Sequence, residues 1–173
     1  QERQGPDGPH ADLDPAVAGA EGAATQVRTE WGLGESPIPN LLHLVEGHGV
    51  RVFSLVEDCH EIDAFSFWRS GTPFICVNTT KTAERTVFDL AHELGHLVLH
   101  KDHAAPRGRD EEREADAFAS NFLMPKADVE AADLRNPDLV ALSKAKTRWR
   151  VSTAALNFRL YKLNIISDWH YRE

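Results

Sequence analysis

The stretch that most constrains this chain is residues 82–100, TAERTVFDLAHELGHLVLH. Its apolar residues Val87, Leu90, Ala91, Leu94 and Val98 recur at helical spacing, and Thr80 or Thr82 can cap the start. Set into that apolar repeat, beside Asp89, are His92, Glu93 and His96. Such a helix must be covered over most of its surface, and its polar groups then need partners where water is excluded. The rest of the fold has to supply both.

A metal ion meets the second demand. Residues four apart on a helix lie one turn above each other, so both imidazoles of His92-Glu93-Leu94-Gly95-His96 face one point. Two neutral ring nitrogens there can hold a zinc ion and leave a position open for water. Glu93, beside the ligands, is then placed as general base for a water whose pKa the ion lowers. Gly95 lets a neighbour approach the helix closely, although glycine weakens the helix itself. With nine histidines in the chain, the five-residue match arises by chance in about four such sequences in a hundred. The apolar setting is what argues against a surface helix with two solvated histidines.

Catalytic zinc usually takes three protein ligands. One arrangement puts a third histidine six residues after the second, behind a glycine, but Asp102 and Leu99 occupy those positions. His100 shares the helical face yet rises about 12 Å from His92, too far to bind the same ion. His103, past the expected helix end, stays open. The acidic run 110–119, DEEREADAFA, is a better source. A carboxylate there, on a helix packed through Ala115 and Ala119, would complete a His2Glu site. Spacing leaves Glu111, Glu112 and Glu114 as alternatives.

Around this centre the chain reads as α+β. Residues 1–13 have the composition of a flexible tail or linker, and with Gln1 at the start we expect further sequence before it. Asp14-Pro15 opens a helix to Trp31, and Ser36-Pro37 a short one ending near Gly47 or Gly49. Residues 50–56, 63–69 and 73–78 alternate as short strands, the last two joined at Ser70-Gly71, and together predict a three-stranded antiparallel sheet. Helices follow at 110–123, 137–149 and 152–163, the last two opened by Asn136-Pro137 and Ser152.

Composition narrows the function classes. Charged residues at 27% and hydrophobic ones at 42% exclude a wholly disordered chain. No 18-residue apolar run or export leader is present, so we expect no membrane association and a cytoplasmic location. Cys59 and Cys76 are too few for a disulfide scaffold. The net charge of −8 opposes nucleic-acid binding over the whole surface. Residues 143–163, however, hold six basic residues and no acidic one. The helix pair around Arg150-Val151-Ser152 reads like a helix-turn-helix, which makes DNA or substrate contact through Lys144, Lys146, Arg148, Arg150 and Arg159 an alternative. The competing reading packs Leu139, Leu142, Trp149, Val151, Ala155, Phe158, Leu160 and Leu163 onto the core and leaves the charges solvated.

The blocks RTVFDLAHELGHLVLH (85–100) and EREADAFASNFLMP (112–125) resemble the ImmA/IrrE family of zinc metallopeptidases, with a looser likeness at KTRWRVSTAALNFRLYKLNIIS (146–167). The resemblance covers about residues 14–167. It implies a zincin-like domain over 14–135 and a helical segment over 136–173 packed on it. It also implies His92, His96 and Glu114 as ligands to one Zn2+ per chain, Glu93 as general base, and a supporting part for Asp116. The implied activity is cleavage of a helix-turn-helix repressor. Some members carry a DNA-binding domain at the N-terminus, and the sensory C-terminal domain of others is not expected here. Readings of another class are a DNA-binding regulator fragment, or a toxin-like module in which the peptidase fold acts by binding.

Overall fold

The computed structural model describes residues 19–55, 61–101 and 107–172. The tail, the Asp14-Pro15 helix start, Cys59 and His103 lie outside them. Strand β3 (Thr72–Val77) is the middle of a three-stranded sheet, with β1 (Arg51–Ser54) on one edge and β2 (Ala64–Arg69) on the other. A tight turn with positive φ at both Ser70 and Gly71 folds β2 back on β3 in antiparallel register, Phe67 opposite Phe74. Strand β1 pairs parallel to β3, Val52 opposite Ile75. The expected all-antiparallel sheet is therefore mixed. The chain between β1 and β3 passes through β2 and is long enough to return for a parallel pairing.

One face of the sheet carries Ile75 and Val77, both buried, and the buried Ser66. The other carries Phe53, Phe65, Phe67 and Phe74 in stacked contact. Helix α3 (Ala83–Leu99) covers the inner face, its start capped by Thr82 Oγ1, which accepts from Arg85 N. Trp68 Nε1 on β2 donates to Leu97 O at 3.1 Å, tying the edge strand to the helix.

Two helices precede the sheet, α1 (Gly19–Glu30) and α2 (Leu41–Gly47). Helix α2 is capped by Asn40 rather than opened at Ser36-Pro37, because Pro37 and Pro39 each hold the residue before them extended. Helix α4 (Arg109–Leu123) lies across α3 and α1. The contact with α3 is close: a Cβ on Gly95 would sit 3.0 Å from Phe118 Cδ1. After α4 come the short α5 (Lys126–Ala131), then α6 (Leu139–Ala145) with a 3-10 turn at Lys146–Arg148, α7 (Thr153–Lys162) and α8 (Asp168–Arg172). Neither α5 nor α8 was expected. Asp138 caps α6, and Arg150 at φ 57° separates its extension from α7.

The C-terminal helices bury Leu142, Trp149, Val151, Leu156 and Leu160 in the same core as α1, α3 and α4. Leu139 is 71% exposed and Phe158 40%, so those two depart from the packing reading. Two buried arginines fasten the end of α4. Arg28 Nη1 donates to Phe122 O at 2.6 Å, and Arg159 Nε donates to Met124 O at 3.0 Å. They satisfy carbonyls that a helix C-terminus leaves without partners and complement its dipole.

Candidate metal centre

His92 and His96 stand one turn apart on the flank of α3 that meets α4. His96 is 1% exposed, and His92 keeps a 16% opening to solvent. Their Nε2 atoms lie 3.1 Å apart. Glu112 faces both, with Oε2 3.1 Å from His92 Nε2 and Oε1 3.3 Å from His96 Nε2. Among the described residues, these three form the group that could hold a metal ion.

The other ring nitrogens decide what faces inward. His92 Nδ1 lies 2.8 Å from Asp116 Oδ1, and an ionised carboxylate only accepts, so Nδ1 carries the proton and Nε2 presents a lone pair. His96 Nδ1 contacts His100 Nδ1 at 2.9 Å, while His100 Nε2 lies 2.7 Å from Glu114 Oε2. By the same logic His100 donates to Glu114, and His96 donates to His100. With both rings neutral, two lone pairs and a carboxylate converge on one point. Donors bound tetrahedrally at ~2.0–2.1 Å would lie about 3.3 Å apart, and the residues present match that spacing.

The local field differs at the two imidazoles. Burial opposes a proton on His92, but the hydrogen bond to Asp116 and the carboxylates of Asp116, Glu93 and Glu112 outweigh it and raise its pKa above the ordinary imidazole value. His96 goes the other way. Burial, with the positive charge of Arg107 and the neighbouring histidines, lowers its pKa to about 3 and keeps the ring neutral. Burial lifts the Glu93 carboxyl above the usual range, against the opposing pull of Ser66 and His92. Ser66 Oγ donates to Glu93 Oε2 at 2.5 Å, and Arg107 Nη1 lies 3.6 Å from the same oxygen. A carboxylate of raised basicity, held from two sides, suits proton transfer near neutral pH.

His92, Glu93, Glu112 and Asp116 line one wall of a cleft of about 490 Å3, which Ala64 at the β2 edge and Phe158 of α7 also border. The sequence-derived candidates thus divide. His92, Glu93 and His96 come together, and Asp116 supports His92. The structure seats Glu112 against the imidazole pair where the resemblance implied Glu114. The reason is helical phase. Glu112 shares a face with Asp116 and the fully buried Ala119, whereas Glu114 leaves the helix about 200° away and reaches His100.

Ser66, Arg107 and the His100 link escaped the sequence reading. The spacing His92, His96, His100 was a visible signal for the last of these. The basic set does not gather. Arg159 is 1% exposed and bound to Glu21, Asn121 and Met124 O, which removes it as a surface contact. Lys146 pairs with Glu84 and Arg148 with Asp128, and Lys144 and Arg150 are exposed. No described helix is long and apolar enough to cross a membrane.

Residues 45–161 match the profile of the peptidase M78 family, described as an IrrE N-terminal-like domain. No curated protein matches the chain. Among solved structures, a Mycobacterium tuberculosis transcriptional regulator is similar at a TM-score of 0.56 and 20% identity, over 82% of this chain and 46% of that one. At that identity the likeness shows the fold, and this chain spans about half the length of that protein. The family match covers about two thirds of the chain and contains the whole centre, so this protein belongs to the M78 family of zinc metallopeptidases.

Proposed function

We propose that this chain is a zinc-dependent endopeptidase whose ion is held by His92 Nε2, His96 Nε2 and the Glu112 carboxylate. The observation that carries this reading is the convergence of His92 Nε2, His96 Nε2 and the Glu112 carboxylate beside a buried, hydrogen-bonded glutamate at the wall of an open cleft. Zinc in such a site supplies Lewis acidity toward a peptide carbonyl and acidifies a water. Glu93 takes the proton of the attacking water and delivers it to the departing amine. Ser66 and Arg107 keep its carboxylate aimed during both transfers, and Asp116 holds His92 in the tautomer that leaves Nε2 free to bind. Phe88 and Phe158 offer apolar surface in the cleft for a substrate side chain.

The substrate class follows from the family, which is associated with cleaving transcriptional repressors, and we assign a helix-turn-helix repressor. Its test is incubation of the zinc-loaded chain with the purified helix-turn-helix proteins encoded beside its gene, read by intact-mass spectrometry. Cleavage at one site, abolished by chelation and by Glu93→Gln, supports the reading. A salt-sensitive gel shift with DNA and no cleavage would replace it with a DNA-binding role.

A further inference from the structure

Beyond the proposed ligands, helix α3 ends at a third histidine, His100, which lies outside the metal-binding group found among the described residues. His100 is 4% exposed and sits at the end of the helix, its own N–H bonded to His96 O at 2.9 Å. Its ring bridges two side chains: Nδ1 is 2.9 Å from His96 Nδ1, and Nε2 is 2.7 Å from Glu114 Oε2. We infer that Glu114 and His100 form a relay that positions His96 for metal binding. The inference rests on the proposed metal site but concerns a separate property, the tautomer and aim of one imidazole.

The argument is one of proton placement. A neutral imidazole has a single N–H, and whichever nitrogen carries it cannot bind a metal. His96 is buried, so the side chains packed around it select the tautomer. Glu114 accepts from His100 Nε2, so in the neutral His100 ring the lone pair stands on Nδ1. That lone pair in turn holds the proton of His96 on its Nδ1 and leaves Nε2 open toward Glu112 and His92. His92 obtains the same result directly from Asp116. The deeper ligand reaches its carboxylate through an intervening ring. Both are positioning devices of the kind that commonly tune metal affinity about ten- to hundredfold.

Two measurements test this. The first is 15N NMR of the imidazoles in the full metal-free chain. His96 should be the Nδ1–H tautomer in the wild type and a mixture in His100→Ala. An Nε2–H tautomer in the wild type would overturn the relay whether or not zinc binds. The second is zinc affinity by competition with a chromophoric chelator. We expect His100→Ala to lose about ten- to hundredfold and Glu114→Gln to fall between it and the wild type. His100→Asn places an amide oxygen near the Nδ1 position and should recover affinity to within about threefold of the wild type. If His100→Asn is as weak as His100→Ala, or if His100→Ala binds as the wild type does, the relay is wrong. A wild type that shows the expected tautomer but binds no zinc would instead remove the metallopeptidase reading.

Discussion

Helices α3 and α4 face each other across the same centre, yet they contribute to it by opposite means. Helix α3 buries its chemistry: His96 and Glu93 are 1% and 5% exposed, and their directions are set by the apolar residues around them. Helix α4 brings its chemistry from solvent. The side chains of Glu112, Glu114 and Asp116 are all at least half exposed, and the way α4 is seated by its buried residues and its far end decides where each one points. On a buried helix, the identity of a residue nearly fixes its role. On a half-exposed one, role depends on rotation about the helix axis, which distant contacts control.

The sharpest way to break the comparison is through Glu93. Glu93→Gln keeps the Ser66 contact and the volume but removes the base, so peptide cleavage should fall by about 10^2–10^4 while zinc content stays at the wild-type level. Unchanged turnover of a fluorogenic repressor peptide would mean that the buried side of the centre does not run the chemistry.

The next largest effect tests the control of α4 from afar. Arg159→Met leaves Met124 O and Asn121 Oδ1 without their charged donor and should lower unfolding stability by about 2–3 kcal/mol in urea titration. We also expect weaker zinc binding, because Glu112 loses its fixed phase. A stable variant with intact affinity would show that Arg159 does not set the phase of α4.

A smaller effect probes the contact between the two helices. Gly95→Ala gains helix propensity, about 1 kcal/mol, but its methyl group meets Phe118, which is fully buried and has little room to give. The net change should be destabilising by about 1–2 kcal/mol in thermal or urea unfolding. A stabilised variant would mean that the helices separate easily.

The difference between the two helices also explains what was legible in the sequence. The apolar repeat Val87, Leu90, Ala91, Leu94 and Val98 located α3, Thr82 and Ser152 located helix starts, and the alternation of 63–69 and 73–78 located the hairpin. Those signals are local. The parallel pairing of β1 was not legible, because register between distant segments leaves no local pattern. Nor was the third donor. DEERE offers a carboxylate at nearly every position of one turn, and the packing of Phe118 against Gly95 of α3, with the two arginines at the far end, selects among them. Arg159 misled for a related reason: within a basic run nothing marks the one guanidinium that meets Glu21 and Asn121 in the interior.

The central claim is that His92, His96 and Glu112 hold one metal ion. Its most direct test is zinc content by mass spectrometry on the wild type, Glu112→Ala and Glu114→Ala, each equilibrated with the same saturating free zinc and then desalted. The account predicts about one zinc per chain in the wild type and in Glu114→Ala, and little or none in Glu112→Ala. Zinc retained by Glu112→Ala and lost from Glu114→Ala would contradict it.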